Sequence, residues 1–239
     1  MKGTVVNIWL NTIGSLYGEK TKNDILTKEG WNPSKLITPL EEIEDAKIMS
    51  LMSAFAKHSG LRTEELWKKL GQNNVTSFYK WFPSYFDKST AMGFLLLMDK
   101  IHAQLTKIIP GAKPPRLIPE EIDAKNMIIT YKSKRGLQEY LMGLIEGVGV
   151  HFGEKIDAKI IDKKIESDGT HVVKIHLTFE KTPKQVMTYR LSKIFSVGFI
   201  KNTTLKIILL PTLLSALLIM ALNGFDNLPL LIATPLVVL

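Results

Sequence analysis

Apolar residues recur at helical spacing through most of the first 150 positions. Gly3 to Leu16 sets Val5, Ile8, Trp9 and Ile13 near one stripe. Pro39 to Leu51, Thr63 to Leu70, Val75 to Trp81 and Thr90 to Ile109 form further amphipathic or buried helical segments. Prolines at 110, 114 and 115 end the last of these. Met127 to Ser133 predicts a strand, followed by a helix from Leu137 to Val150 with Leu137, Tyr140, Leu141, Leu144 and Val148 on one face. The period then falls to two. Val173, Ile175, Leu177 and Phe179 alternate with Lys174, His176 and Thr178, and Asp168-Gly169 predicts a hairpin joining Lys159 to Ser167 with Thr170 to Phe179. The pattern is α+β, a mostly helical N-terminal part with a small antiparallel sheet.

After Glu180 the texture changes. Lys181, Lys184, Arg190, Lys193, Lys201 and Lys206 precede a run in which every residue from Ile207 to Leu222 except Pro211, Thr212 and Ser215 is strongly apolar. Counted from Leu205, such a helix is roughly 27 Å long, nearly the depth of a bilayer core. Asn223 to Asn227 offers a tight turn, and a second apolar run occupies Leu228 to Leu239. This predicts three regions: a domain over 1–187, a basic juxtamembrane linker over 188–206 and a transmembrane hairpin over 207–239 whose second span is truncated. The same pattern also fits a core hairpin packed on the preceding domain. No signal peptide is expected, and basic residues on the near side of the first span place the domain in the cytoplasm at the cell membrane.

Composition narrows the chemistry. The 239 residues include no cysteine, which excludes disulfides, thiolate ligation, iron–sulfur clusters and C-x-x-C-H attachment. The formal charge of +8 would suggest nucleic acid, but much of the excess flanks the apolar run, so nucleic acid is not an expected partner.

Two local features carry candidate chemistry. Tyr131, Ser133 and Arg135 stand at i, i+2 and i+4 of the predicted strand, so they share a face able to grip paired carboxylates, with Arg135 as a bidentate fork. The same triplet also reads as a solvated strand edge. His102 sits among Leu95, Met98 and Leu105 on an apolar helix face, where a histidine is otherwise a hydrogen-bonded core residue.

Further motifs are spread along residues 1 to about 187. They are Met1-Lys2-Gly3-Thr4, Trp9, Tyr17-Gly18, Trp31, Ile37-Thr38-Pro39-Leu40, Trp81 to Phe86, Met98 to His102, Pro114-Pro115-Arg116-Leu117, Tyr131 to Arg135 and Gly143 to Gly147. In these the chain resembles the H-NOX family, haem nitric oxide/oxygen-binding sensor domains related to the haem domain of soluble guanylate cyclase. The resemblance implies non-covalent haem b with ferrous iron, enclosed by the helices and the sheet. His102 matches the iron ligand, Tyr131, Ser133 and Arg135 match the propionate grip, and Pro115 matches a proline that holds the haem out of plane.

Val5, Val75, Phe78 and Leu144 match apolar pocket positions. Valine at 5 and 75, where close relatives often carry isoleucine, implies a roomier pocket. Trp9, Asn74 and Tyr140 match the hydrogen-bond network of members that hold dioxygen. Taken singly, Trp9 reads as a core filler, Asn74 as a helix cap and Tyr140 as a half-buried surface tyrosine.

The resemblance implies a sensor rather than an enzyme. Its expected partners are dioxygen, nitric oxide and carbon monoxide, with membrane lipid, a C-terminal methyl-accepting chemotaxis module or a dimer partner beyond them. A nitric oxide-selective sensor and a haem-free, membrane-anchored interaction module are the alternatives.

Overall fold

A computed structural model describes residues 1–87 and 90–182, together with residues 212, 214, 215, 217, 218, 220 and 221. Met1–Lys184 forms one compact unit and Gln185–Leu239 another. The seven described residues of the second unit are helical, and Leu214, Leu217 and Leu218 are exposed. Among the described residues no helix is long and apolar enough to cross a membrane. The predicted linker and most of the predicted hairpin lie outside the described residues.

In the first unit, α1 (Gly3–Tyr17), α2 (Glu19–Lys28), α3 (Asp45–His58) and α4 (Thr63–Trp81) make the helical part. Val6, Trp9, Leu10 and Ile13 recur at helical spacing on α1 and pack with Ile48, Leu51, Met52 and Phe55 of α3 and Leu66 and Leu70 of α4. A short 3₁₀ turn (Pro83–Phe86), α5 (Ala91–Leu95) and α6 (Met98–Ile108) lead into the sheet. Its strands β1 (Arg116–Glu121), β2 (Asn126–Ser133), β3 (Ile156–Ile165) and β4 (His171–Phe179) pair antiparallel in the order β1-β2-β4-β3, with α7 (Gln138–Phe152) between β2 and β3. The alternation expected of β4 holds: Val173, Ile175, Leu177 and Phe179 are buried, and with Met127 and Ile129 they form a core under Leu141, Ile145 and Val148 of α7.

Several boundaries depart from the pattern in the sequence. Pro39–Glu44 is not helical. Gly3 N–H donates to Glu41 O and Thr4 N–H to Pro39 O, while Lys2 bridges Glu42, so this stretch serves as the extended partner of the N-terminus. The segment Thr90 to Ile109 divides at Leu96-Leu97, with Thr90 Oγ1 capping α5 at Gly93 N–H. α2 and β1 were not foreseen; β1 carries Pro119, which an edge strand tolerates because one row of its N–H groups has no ladder partner.

The two helices expected over 63–70 and 75–81 are one, running through Gly71. A Cβ on Gly71 would lie 2.2 Å from Tyr140 O, and one on Gly143 would lie 2.0 Å from Lys68 O. These glycines let the backbones of α4 and α7 meet directly. Replacing Gly143 with alanine gains roughly 1 kcal/mol of helix propensity, but overpacking against backbone costs about 1–3 kcal/mol or more. Because the added Cβ would meet backbone at 2.0 Å, the cost falls at the upper end and a net loss approaching ~2 kcal/mol is expected. It is read as a lower urea midpoint at unchanged slope; an unchanged or higher midpoint would contradict the close contact.

At the far end of α7, Gly153 takes φ 62°, in the left-handed region, and ends the helix. The next residue, Glu154, is buried; one carboxylate oxygen accepts from Ala91 N–H at 2.9 Å and the other from Lys181 N–H at 3.1 Å.

Candidate functional site

A cavity of about 690 Å³ lies within the first unit, well inside the roughly 300–1,000 Å³ range of cofactor sites. Val5 and Trp9 of α1, Val75 and Phe78 of α4 and Tyr140 and Leu144 of α7 line it, as do Leu95, Met98, His102 and Leu105 from α5 and α6. Pro115, Tyr131, Ser133 and Arg135 line it too. Asn74 does not reach it. That residue is fully buried in mid-helix rather than capping one, and its side chain meets Tyr140 from behind the cavity wall. His58, His151, His171 and His176 are not on the lining either.

α6 is pinned to β1 by a bidentate pair: Arg116 Nε and Nη2 donate to Asp99 Oδ1 and Oδ2, each at 2.7 Å, and Leu117 N–H adds a third bond to the same carboxylate at 3.2 Å. One turn on, His102 Nδ1 lies 3.0 Å from Pro115 O. A carbonyl only accepts, so Nδ1 carries the proton and Nε2 presents its lone pair. Burial pushes the imidazole below its ordinary pKa against the pull of Pro115 O and Asp99, which keeps it neutral and fit to ligate near pH 7.

Among the described residues no cluster of three or more His, Asp or Glu could hold a bare metal ion. A metal held here through His102 would need its remaining ligands from a group other than the described side chains, such as a macrocycle.

The predicted carboxylate grip is built differently from a strand face. β2 ends at Ser133, whose Oγ accepts from Arg135 N–H at 3.2 Å in a turn closed by Gly136 at φ 64°. Arg135 thus arrives from the turn. Its Nε donates to Asp45 Oδ2 and its Nη1 to Lys113 O, both at 2.6 Å, while the Met1 amine donates to Asp45 Oδ1 at 2.9 Å and to Ile43 O. Tyr131 accepts from Leu137 N–H at 3.0 Å, which leaves its hydroxyl proton to donate. Burial pushes that phenol's pKa up, against the effects of Ser133, Leu137 and Arg135.

Burial also acts on Asp45, pushing it up, but the Met1 amine and Arg135 outweigh this and hold the carboxyl below its usual range. Its stabilising share is present above the unfolded value near 3.9 and is lost as pH falls through the lower folded value. Acid unfolding of an Asp45→Asn variant should lack that part of the transition; an unchanged acid limb would refute the assignment.

On the α1–α4–α7 side, Asn74 Nδ2 donates to the Tyr140 hydroxyl oxygen at 3.1 Å. Trp9 packs edge-on to Tyr140 with ring centroids 5.5 Å apart, and its Nε1 is a buried donor with no partner of ordinary geometry. Burial pushes Tyr140 up to about 12, against Asn74 and Trp9, so its phenol stays protonated. Neither Thr12 nor Asp45 stood out in the sequence. Thr12 reaches Asn74 across 62 positions and Asp45 reaches Arg135 across 90, separations no local pattern exposes.

A neutral imidazole, a donor trio suited to carboxylates, an orphaned indole N–H and a large apolar cavity fit haem, and the fold and site together define a haem-binding sensor domain. The family described as Haem-NO-binding matches residues 2–160, and the chain belongs to this H-NOX family.

Among solved structures it is similar to an oxygen-binding H-NOX domain related to soluble guanylate cyclases, in its oxygen complex. That match has 37% identity over 76% of this chain and 96% of the other, with a TM-score of 0.71. A mutant H-NOX domain of T. Tengcongensis matches at 37% over 76% and 99%, TM-score 0.72. A Cs H-NOX mutant carrying 4-cyano-L-phenylalanine matches at 37% over 76% and 98%, TM-score 0.72. A comparison with curated proteins finds no significant match.

Proposed function

We propose that this chain is a haem sensor for dioxygen that also takes nitric oxide and carbon monoxide, and that it signals rather than catalyses. When bound, haem b supplies a ferrous iron able to take up a diatomic gas. His102 Nε2 offers the protein ligand, its tautomer fixed by Pro115 O. Tyr131, Ser133 and Arg135 offer donors for the propionates, and the Pro115 ring shapes the same cavity.

The observation that carries the choice of gas is the Tyr140 phenol. It lines the cavity, stays protonated and accepts from Asn74, so its own proton is available to a ligand that gathers negative charge. Dioxygen gathers more than nitric oxide does. A pocket selective for nitric oxide has no use for such a donor. The similarity to an oxygen-binding H-NOX domain supports this reading.

Movement of α6, which carries His102, relative to the sheet is the expected signal. The basic segment and apolar runs after Glu180 support a membrane tether with the sensor in the cytoplasm, and a methyl-accepting chemotaxis module is the expected output. The test is an absorption spectrum of the full chain, reduced without air and then opened to it. A stable spectrum of the six-coordinate, low-spin type in air supports the dioxygen reading. A five-coordinate spectrum that changes only with nitric oxide overturns it, and the lack of a Soret band after haem supplementation removes haem sensing altogether.

A further inference from the structure

Behind the Tyr140 phenol, hydrogen bonding continues two residues beyond what the cavity touches, through Asn74 to Thr12. Thr12, on α1, is buried at 6% exposure, and Asn74 is at 0%. Thr12 Oγ1 lies 2.9 Å from Ile8 O and within bonding distance of Asn74 Oδ1. It has one proton for two acceptors.

The two choices have opposite consequences at the pocket. If the proton goes to Ile8 O, Thr12 Oγ1 becomes an acceptor. The Asn74 amide then turns its NH₂ toward Thr12 and its carbonyl toward Tyr140, and the phenol spends its proton on that carbonyl. If the proton goes to Asn74 Oδ1, the NH₂ is committed to the phenol oxygen, which accepts, and the phenol proton remains for a ligand in the cavity.

The orientation of the amide selects the second arrangement: Asn74 presents Oδ1 to Thr12 and Nδ2 to Tyr140, while Ile8 O, inside α1, keeps the helical bond from Thr12 N–H whether or not the hydroxyl donates to it. The buried Trp9 indole, which can only donate, stands edge-on to the same phenol. With Asn74 Nδ2 donating to the phenol oxygen and only a donor in the neighbouring indole, the phenol's own proton is left to point elsewhere.

We propose that Thr12 is a positioning residue for gas selectivity: by donating to Asn74 it fixes the amide so that Tyr140 gives its proton to the bound gas. This rests on the reading of Tyr140 as the dioxygen donor. Thr12 touches neither haem nor gas and acts through two other side chains.

The experiment compares the full chain with Thr12→Val, Thr12→Ser and Tyr140→Phe variants. It measures dioxygen and carbon monoxide affinities of the reduced protein, together with nuclear Overhauser contacts of the Asn74 side-chain amide in the gas-free state. Thr12→Val, which keeps the shape but removes the hydroxyl, should lower the ratio of dioxygen to carbon monoxide affinity about tenfold, the scale of one charge-assisted hydrogen bond. Thr12→Ser should restore it.

In the unsubstituted chain the Asn74 NH₂ protons should contact the Tyr140 ring, and in Thr12→Val they should turn away. A Thr12→Val ratio within twofold of the unsubstituted protein, while Tyr140→Phe lowers it, overturns the proposal and leaves the dioxygen reading standing. A Tyr140→Phe variant with an unchanged ratio sinks the dioxygen reading itself. If Thr12→Val does not fold, Thr12→Ser and the amide contacts decide: loss of the ratio in Thr12→Ser, or an NH₂ facing Thr12 in the unsubstituted chain, overturns the proposal.

Discussion

Replacing His102 with alanine is expected to leave a folded chain that retains no haem, its Soret absorbance falling to background. The fold should survive because α6 is held by the Asp99–Arg116 pair and Ile101, not by the imidazole. The stability lost is the hydrogen bond to Pro115 O, about 1 kcal/mol. Haem affinity falls far more, since no other histidine lines the cavity. Imidazole added to the buffer should restore a Soret band in the variant, because the pocket and the carboxylate grip remain. A variant that keeps its haem without added imidazole would refute His102 as the ligand.

The second large effect falls on gas release. Tyr140→Phe removes the only proton the phenol can give and keeps the ring that packs on Trp9 and Trp67. A hydrogen bond to a charged partner contributes about 1.5–3 kcal/mol, so dioxygen should escape about 10- to 150-fold faster while carbon monoxide release barely changes. The substitution also strips Asn74 Nδ2 of its acceptor in a fully buried position, which should lower folding stability by about 1–3 kcal/mol. With the phenol at about 12, dioxygen affinity of the unsubstituted protein should show no Tyr140 titration between pH 6 and 9. Equal effects on both gases would mean the tyrosine acts by filling space.

Much of the fold could be read along the chain because each element obeys one period. The β4 alternation and the Asp168-Gly169 turn, with Gly169 at φ 81°, are local facts, and so is the stripe on α1. Elements that serve a distant partner were misread. Gly71 looks like a helix break, yet its missing side chain is what α7 requires. Pro119 hides an edge strand, and residues 39–44 are extended because the N-terminus needs their carbonyls.

The site divides in the same way. The apolar face around His102 reads by itself as a hydrogen-bonded core position, and no periodicity links Trp9, Asn74 and Tyr140; only the family resemblance gave these four residues their expected roles. Arg135 seemed to continue a strand that stops at Ser133, because a turn and a strand end are alike until the hydrogen bonds are known.

Glu154 fixes the chain beyond the last strand of the domain. Its carboxylate accepts from Lys181 N–H with one oxygen and from the first amide of α5 with the other, so the anchored part of the domain runs past the end of β4 to Lys181. Cargo attached there is moored within one side chain of the short helix that precedes α6. A fusion joined at Phe179 would cast off that mooring, and one joined at Thr182 or later would keep it.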